Sequence, residues 1–185
     1  MLTRKHTKDT KNIKAEMTMS NTLYVMIGAS GSGKSTLAKE LEKLFEETYD
    51  VSSDDMREIL WGNANDQQNP KRVFDECEID IIGYADQNVN VIFDATNLYA
   101  KYRKRWVQLG KQHFDKVVAI WCNTSKANCI ANQDKRERQV PTNIVERQWD
   151  GLEPPKLDEG FDEVWIVNAC EGMDIKNIRI IKKNA

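Results

Sequence analysis

Residues 28–36 read Gly-Ala-Ser-Gly-Ser-Gly-Lys-Ser-Thr and follow an apolar run, residues 23–27, directly. They match the pattern G-x-x-x-x-G-K-[ST], with a strand predicted before it and an amphipathic helix after it, which is the setting of a phosphate-binding loop. Glycines permit backbone torsions and a close approach that a Cβ atom would block, so the loop N–H groups can face a bound phosphate. The alternative is a glycine-rich turn that contains a lysine by chance.

The pattern assigns roles to single residues of this loop. Lys34 is expected to reach the β- and γ-phosphates of ATP, and the Ser35 hydroxyl to bind Mg²⁺. The helix that starts near Lys34 adds the partial positive charge of its N-terminus. The candidate ATP-binding residues of the loop are Gly28, Ala29, Ser30, Gly31, Ser32, Gly33, Lys34, Ser35 and Thr36.

Composition and charge exclude several other classes of protein. The 185-residue chain has a formal net charge of -2, so a site for a polyanion has to be a local patch. No apolar run approaches the ~20 residues of a membrane span, and the N-terminus lacks the apolar segment of a signal peptide. Four widely spaced cysteines without a C-x-x-C pair favour a reduced, cytoplasmic protein over disulfides or zinc.

Apolar runs alternate with amphipathic segments along the chain. The predicted strands are 23–27, 49–52, 89–95, 117–121 and 163–167, and the predicted helices are 35–47, 56–61, 71–87, 96–113 and 142–149. Segment 173–185 fits either a helix or a strand. The alternation predicts an α/β fold with a central parallel five-stranded sheet. The phosphate-binding loop then indicates a P-loop NTPase three-layer sandwich, to which the arginine-rich segment described below adds a helical lid. We expect one domain, 21–185, after a basic, mobile tail, 1–20, for which nucleic-acid contact is the alternative.

Acidic residues follow two of the predicted strands. Asp54 and Asp55 come after the strand 49–52, and Asp94 lies at the end of the strand 89–95. Ligands of open α/β sheets bind beyond the carboxyl ends of the strands, so all three carboxylates are placed for chemistry. Asp94 is the candidate Mg²⁺ ligand, directly or through water. The alternative for Asp54 and Asp55 is a structural one, as N-caps of the next helix.

Basic residues are concentrated in two segments after the third strand. Segment 125–141 carries Arg136 and Arg138, with Lys135 as support, and is predicted to be a lid that covers the transferring phosphoryl group and neutralises its charge. The alternative is an exposed charged helix. The charges at 101–105, which include Arg103, are interpreted as a solvated helix face. The chain lacks the N-K-x-D tetrapeptide with which GTP-binding proteins recognise guanine, and it is short for a motor ATPase. Both observations favour a phosphotransferase.

Four blocks of the sequence together resemble the kinase domain of the 5′-polynucleotide kinase family of phage and bacterial nucleic-acid repair enzymes. The blocks are 28–36, Ser53-Asp54-Asp55-Met56-Arg57, Asp94-Ala95-Thr96-Asn97-Leu98, and 135–141 with Ile144-Val145-Glu146-Arg147. The similarity extends over residues 23–165, which is most of the chain. The loop is common to many kinases, so the other three blocks favour this branch.

The resemblance implies roles for three residues outside the loop. Asp54 is implied to be the general base that takes the proton of a 5′-hydroxyl, Arg57 to contact the substrate phosphate, and Arg136 to contact the ATP phosphates. The resulting assignment is catalytic Lys34, Asp54 and Arg136; ATP-binding Arg136 and Arg138 beside the loop; substrate-binding Arg57 and Asp55; and Mg²⁺-binding Ser35 and Asp94.

The sequence departs from the family pattern in three respects. Ser53 stands where some relatives have arginine, and Ala131-Asn132 stands where the lid often has a second arginine, so Arg138 is the candidate substitute. No phosphatase or ligase module accompanies the predicted kinase, so end healing would need separate partner proteins. The expected location is the cytoplasm, that of the host if the chain is phage-encoded.

The spacing of Asp54 and Arg57 supports the same function independently of the resemblance. Three residues apart at a helix start, they share one helix face. A carboxylate base beside a phosphate-binding arginine fits a hydroxyl acceptor that already carries a phosphate; the alternative for Arg57 is a surface ion pair. The leading hypothesis is therefore ATP- and Mg²⁺-dependent phosphorylation of a DNA or RNA 5′-hydroxyl. A small-molecule kinase, for a nucleoside, sugar or antibiotic, and a nucleotide-dependent regulatory switch are the rivals.

Overall fold

A six-stranded sheet forms the centre of the molecule. The structure is a computed structural model that describes residues 21–168 and 178–182; the predicted tail, 1–20, lies outside these ranges. The strand order is β2-β3-β1-β4-β5-β6, and all neighbours pair in parallel except β5 and β6. The strands are β1 (Thr22–Ile27), β2 (Thr48–Ser52), β3 (Asn90–Asp94), β4 (Lys116–Cys122), β5 (Glu163–Val167) and β6 (Ile178–Lys182).

The α/β class and the five parallel strands are confirmed, whereas the count of five strands is wrong by one. The sixth strand lies in the segment that the sequence left open between helix and strand. Only ten residues separate β5 from β6, which is fewer than the dozen or so that a parallel crossover needs. The added strand is accordingly antiparallel.

Helices cover both faces of the sheet and give the expected three layers. The helices are α1 (Lys34–Leu44), α2 (Ser53–Trp61), α3 (Pro70–Ala85), α4 (Ala100–His113), α5 (Lys126–Ala131) and α6 (Thr142–Asp150). Apolar residues of α1 pack with one face of the sheet, and those of α2, α3 and α4 pack with the other. Every helix in the described part of the chain is too short or too polar to traverse a bilayer.

Two predicted helix starts are wrong, and both bear on the site. α2 begins at Ser53, and its N-cap is Ser52, whose side chain accepts hydrogen bonds from the backbone N–H groups of Asp54 and Asp55. The capping role predicted as an alternative for the two aspartates is therefore filled by a serine. α4 begins at Ala100, because the residues before it form a loop that is bonded to the sheet.

Asn97 shapes this loop after β3. Its backbone is left-handed, with φ of 46°, a conformation that asparagine tolerates better than most residues. Its side-chain Nδ2 donates to the carbonyl of Met26 at 2.8 Å, and the neighbouring carbonyl of Thr96 accepts from the N–H of Gly28 at 3.0 Å. The loop after β3 is thus joined to the first residue of the phosphate-binding loop.

Arg103 is fully buried, so the interpretation of this residue as part of a solvated face is wrong. Its guanidinium makes a bidentate pair with Glu159, both bonds being 2.7 Å long. Its Nη1 also donates to the carbonyls of Asn97, Leu98 and Glu153, each at 3.0 Å. A buried charge is tolerated only when it is paired and hydrogen-bonded in this way. The partners lie up to 56 residues away in sequence, so helical periodicity did not reveal them.

Candidate active site

A cleft of about 1060 Å³ opens at the carboxyl edge of the parallel strands. Its walls are the loop 30–36 after β1, the start of α2, the end of β3, the segment 132–141 and one face of α6. This is the position at which ligands bind in open α/β sheets. The cleft brings together most of the residues that the sequence selected: Ser30, Gly31, Ser32, Gly33, Lys34, Ser35, Thr36, Asp54, Arg57, Asp94, Arg136 and Arg138.

Gly28, Ala29 and Asp55 do not line the cleft in the described structure. Gly28 has a role in shaping the loop, because a Cβ atom there would lie 2.4 Å from the hydroxyl of Ser32. Ala29 is buried, and its carbonyl accepts a hydrogen bond from Lys34 Nζ at 3.0 Å. Asp55 is exposed at the start of α2. Their predicted parts in ATP and substrate binding remain predictions.

The backbone of the loop has the form that an anion site requires. Gly31 and Gly33 have φ of 81° and 95°, a left-handed region that favours glycine. Gly33 leads directly into α1, whose first N–H groups have no partner within the helix and therefore suit a phosphate. The buried hydroxyl of Ser32 likewise has no hydrogen-bond partner among the described residues. These unsatisfied donors fit the phosphates of a nucleotide.

Three consecutive loop residues are held from outside by side chains that the sequence analysis missed. Gln148 on α6 accepts from the N–H of Ser30 at 2.8 Å. The carbonyl of Gly31 accepts from Asn132 at 3.0 Å, and the carbonyl of Ser32 accepts from the hydroxyl of Thr124 at 2.8 Å. Side chains that support a binding loop from distant elements leave no local motif, so only the structure could identify them.

Asp54 lines the same cleft as the loop and lies between two arginines. Arg57 Nη1 donates to Asp54 Oδ1 at 2.9 Å, and Arg138 Nη2 forms an ion pair with Asp54 Oδ2. Arg57 is nearly buried and also donates to the carbonyl of Ser53 at 2.9 Å. The sequence placed Asp54 and Arg57 on one helix face, and the structure brings them into contact. It did not anticipate that the lid would reach the same carboxylate.

Asp94 and Ser35 are the candidate ligands of Mg²⁺. Both line the cleft, and Asp94 is buried at the end of β3, next to β1. The described residues hold no cluster of three or more His, Cys, Asp or Glu side chains that could form a metal cage. A hydroxyl and one carboxylate nevertheless suit Mg²⁺, which usually binds through one or two protein oxygens together with water and substrate phosphates.

A second acid lies beneath the metal-binding candidate. Asp50 projects from β2 on the same face as Asp94, since Asp50 pairs with Ile92 and Ser52 with Asp94 in the sheet. Burial, together with the nearby carboxylate of Asp94, raises the pKa of Asp50 to about 7. Its Oδ1 atom has no hydrogen-bond partner among the described residues. Negative charge at this end of the sheet is thus concentrated enough to favour a cation or a proton.

The predicted lid is helical in its first part only. It consists of the short helix α5, a 3₁₀ turn over Asn132–Lys135 and an irregular segment up to Pro141. Gln133 is buried and holds the turn: its amide donates to the carbonyl of Cys129 at 3.1 Å and accepts from the N–H of Val140 at 3.1 Å. Arg136 and Arg138 lie in the loop that this pair of bonds closes. The alternative of an exposed charged helix is therefore wrong for this segment.

The cleft has a strongly positive lining in a chain of negative net charge. Six basic side chains line it against two carboxylates: Lys34, Arg57, Lys135, Arg136, Arg138 and Arg147 against Asp54 and Asp94. The whole chain has a formal charge of -2. The local patch that the sequence analysis required for a polyanionic ligand is therefore present in the cleft itself.

A mostly parallel sheet whose central strand leads into a phosphate-binding loop is the fold that this chain shares with solved P-loop kinases. The chain belongs to the AAA domain family, whose model matches residues 23–155.

Relatives are found by sequence and by structure. The 2′,3′-cyclic-nucleotide 3′-phosphodiesterase of Mus musculus is 30% identical over 135 residues, which cover 71% of this chain and 31% of that protein. A chain of the Pnkp1/Rnl/Hen1 RNA repair complex has a TM-score of 0.65 and 22% identity over 72% of this chain and 44% of that one. A gluconokinase from Sinorhizobium meliloti has a TM-score of 0.59 and 15% identity over 83% of this chain and 85% of that one. The chain spans about a third of the length of its curated relative, and the two structural likenesses show the fold alone.

Proposed function

We propose that this protein transfers the γ-phosphate of ATP to the 5′-hydroxyl of a polynucleotide end. The observation that carries the proposal is the position of Asp54, which lines the same cleft as the phosphate-binding loop and contacts Arg57 at 2.9 Å. A regulatory switch has no need of a base for an acceptor. A carboxylate beside an arginine fits an acceptor with a hydroxyl to deprotonate and a phosphate to bind.

The residues divide into donor and acceptor sides of the cleft. The loop N–H groups and Lys34 would bind the β- and γ-phosphates, and Arg136 would neutralise charge that develops on the transferred group. Ser35 and Asp94 would hold Mg²⁺, which supplies further neutralisation of the phosphate oxygens. Asp54 takes the proton of the 5′-hydroxyl, and the oxygen of that hydroxyl forms the new bond to the γ-phosphorus. The bond between the γ-phosphorus and the β–γ bridging oxygen breaks, which releases ADP.

The comparisons support a nucleic-acid end as the acceptor. One structural neighbour is part of an RNA repair complex, and the mouse relative is named for its action on 2′,3′-cyclic nucleotides. The six basic side chains of the cleft are suited to a polyanion. In this proposal the product, a 5′-phosphorylated end, is passed to a separate ligase, and a separate phosphatase prepares the other end.

A labelling experiment tests the proposal. The protein is incubated with γ-labelled ATP, Mg²⁺ and, in separate reactions, a 5′-hydroxyl DNA or RNA oligonucleotide and a panel of nucleosides, sugars and antibiotics. We expect the oligonucleotide to become labelled. The rate of labelling should fall at high salt, because binding of a polyanion releases counterions. Label on a sugar or an antibiotic alone would replace the polynucleotide kinase with a small-molecule kinase.

Two variants provide the controls for the labelling experiment. Lys34→Ala should abolish transfer while the protein stays folded, since it removes the charge that follows the γ-phosphate into the transition state. Lys39→Ala, on the exposed side of the same helix, should leave transfer unchanged. Near-normal turnover by Lys34→Ala would contradict the assignment of the loop as the ATP site.

A further inference from the structure

We propose that Arg138 masks Asp54 in the free protein and moves onto the phosphate of the acceptor, so that the base is most accessible to an acceptor with a phosphate beside its reacting hydroxyl. The inference rests on the proposed function and deepens it. It assigns Arg138 to the acceptor side of the cleft, and it links recognition of the substrate class to the protonation step.

Both oxygens of the Asp54 carboxylate are engaged in the structure. Oδ1 accepts from Arg57 Nη1 at 2.9 Å, and Oδ2 is paired with Arg138 Nη2. A hydroxyl that is to lose its proton has to come within hydrogen-bond distance of one of these oxygens. Each oxygen has a second lone pair, so the two arginines restrict the approach of the hydroxyl, and the departure of one of them opens the carboxylate to the acceptor.

The charges around Asp54 do not balance. Two guanidinium groups share one carboxylate, and each of them keeps a buried nitrogen, Arg57 Nε and Arg138 Nη1, that has no hydrogen-bond partner among the described residues. The Arg57 side chain is 91% buried, its exposed fraction being 9%. Buried N–H donors of a folded protein are nearly always hydrogen-bonded, so these two nitrogens are suited to an acceptor on a bound ligand. A second anion with several acceptor oxygens fits, and phosphate is an anion that arginine frequently binds through two parallel hydrogen bonds.

Arg138 is the arginine that can move. Arg57 is fixed within α2, where its Nη1 also donates to the carbonyl and hydroxyl of Ser53 at 2.9 and 3.3 Å. Arg138 is the more exposed of the two, at 28% against 9%, and lies in the irregular part of the predicted lid between Lys135 and Pro141. Its contact with Asp54 joins residues 84 apart in sequence. A bound phosphate can draw this side chain away without disturbing the helix that carries Asp54.

Opposite effects on two acceptors distinguish masking from simple binding. In Arg138→Ala a phosphate-bearing acceptor loses a charge-assisted contact and should react more slowly. A bare nucleoside never removes Arg138 from Asp54, so it should react faster once the side chain is gone. An arginine that only contacts ATP would slow both acceptors alike.

The test compares thymidine 3′-monophosphate with thymidine as acceptors for the wild type, Arg138→Ala, Arg138→Lys and Arg136→Ala. We expect the ratio of kcat/KM for the two acceptors to fall about ten- to a hundredfold in Arg138→Ala, the range of one charge-assisted contact. Arg138→Lys should restore part of the ratio. Arg136→Ala should slow both acceptors and keep the ratio. Circular dichroism and the melting temperature verify that each variant is folded.

A binding measurement separates this inference from the proposed function. Thymidine 3′-monophosphate is titrated by calorimetry into protein saturated with a non-hydrolysable ATP analogue and Mg²⁺, which keeps the probe out of the donor site. The wild type should bind the probe about ten times more tightly or better than Arg138→Ala does. Equal binding by both proteins, absence of binding by the wild type, or an unchanged acceptor ratio would overturn the inference. Binding that depends on Arg138 without any transfer to a 5′-hydroxyl would overturn the proposed function instead.

Discussion

Asp54 combines two properties that a sequence cannot separate, since an aspartate at a helix start suits both a cap and a base. The structure separates them, because the side chain of Ser52 accepts the hydrogen bonds that a cap accepts. The Asp54 carboxylate is turned instead toward two arginines in the cleft, with 43% of its side chain exposed. We therefore expect the charge of Asp54 to matter more for phosphoryl transfer than for the stability of α2.

Replacing Asp54 by asparagine tests this separation. Asp54→Asn keeps the size of the side chain but cannot accept the proton, so the rate of transfer should fall by about 10²-fold or more. Ion pairs of this exposure contribute about 1 kcal/mol or less, so the melting temperature should move little. Single-turnover kinetics and thermal unfolding measure the two quantities. A large loss of stability with a normal rate per folded molecule would make Asp54 structural.

Asp50 should make the stability of the protein depend on pH. Burial raises its pKa from 3.8 to about 7, with Asp94, Asp55 and Glu42 adding to the rise and Lys39 opposing it. Between these pKa values the folded protein keeps a proton that the unfolded chain has lost, so the folded state loses stability as the pH rises from about 4 to 7. Above that range the loss is complete.

Asp50→Asn removes this ionisation. Relative to the wild type, the variant should gain more stability at pH 8 than at pH 5, by about 1–4 kcal/mol, because one pKa unit corresponds to about 1.4 kcal/mol. Urea unfolding at the two pH values, with EDTA and without nucleotide, provides the measurement. An equal effect at both values would show that Asp50 ionises normally in the folded protein.

At the scale of elements, the predicted lid, 125–141, packs against the phosphate-binding loop. Gly31 faces the end of α5 so closely that a Cβ atom would lie 2.2 Å from the carbonyl oxygen of Cys129 and 2.4 Å from Gln133 Nε2. The carbonyl of Gly31 accepts from Asn132 in the turn that follows. Movement of α5 and the following turn should therefore be transmitted to the loop that we propose as the ATP site.

Gly31→Ala tests this packing, and the chain offers a matched control. The added methyl group has to push α5 away or distort the loop, so affinity for an ATP analogue should fall at least about tenfold, since overpacking typically costs about 1–3 kcal/mol. Gly62 is also left-handed, with φ of 63°, but has open space around its Cα. Gly62→Ala should carry only the backbone cost, about 1–2 kcal/mol of stability, and bind the analogue normally. Equal affinities in the two variants would contradict the coupling.

The elements of the central sheet were predictable, whereas the contacts between distant elements were not. The loop pattern and five apolar runs identified the fold class, and the predicted bounds of β5 match Glu163–Val167. Local patterns also selected Asp54, Arg57 and Asp94. They missed the supporting bonds of Gln148, Asn132 and Thr124, because such contacts depend on how distant segments meet. The sixth strand was ambiguous because its isoleucines, at 175, 178, 180 and 181, fit either periodicity.

At the scale of the whole molecule, Arg103 connects segments that no single element joins. It bonds the loop before α4, the carbonyl of Glu153 and the carboxylate of Glu159. The same loop contains Asn97, which is bonded to the end of β1. The outer segment 153–159 is thus linked through one buried guanidinium to the strand that leads into the active site.

Removing this guanidinium should destabilise the whole domain. Arg103→Met keeps the apolar stem but leaves Glu159 and three carbonyls without their partner, so the free energy of unfolding should fall by about 3–5 kcal/mol. Lys104→Met, at the exposed neighbouring position on α4, should change it by about 0.5 kcal/mol or less. Chemical denaturation of the two variants makes the comparison. A loss below about 1 kcal/mol for Arg103→Met would mean that water replaces the buried bonds.

The two hydrogen bonds of Gln133 have a consequence for engineering. They bond Gln133, just before the stretch 134–139, to the carbonyl of Cys129 and to the N–H of Val140, just after it. Both ends of the stretch are therefore held together, and we expect the residues between them to tolerate replacement. The length of the stretch and the place of its arginines can be varied while the anchoring glutamine is kept. We expect grafts that keep Arg136, the proposed ATP-binding arginine, and move Arg138 to favour acceptors whose phosphate lies at a different distance from the hydroxyl.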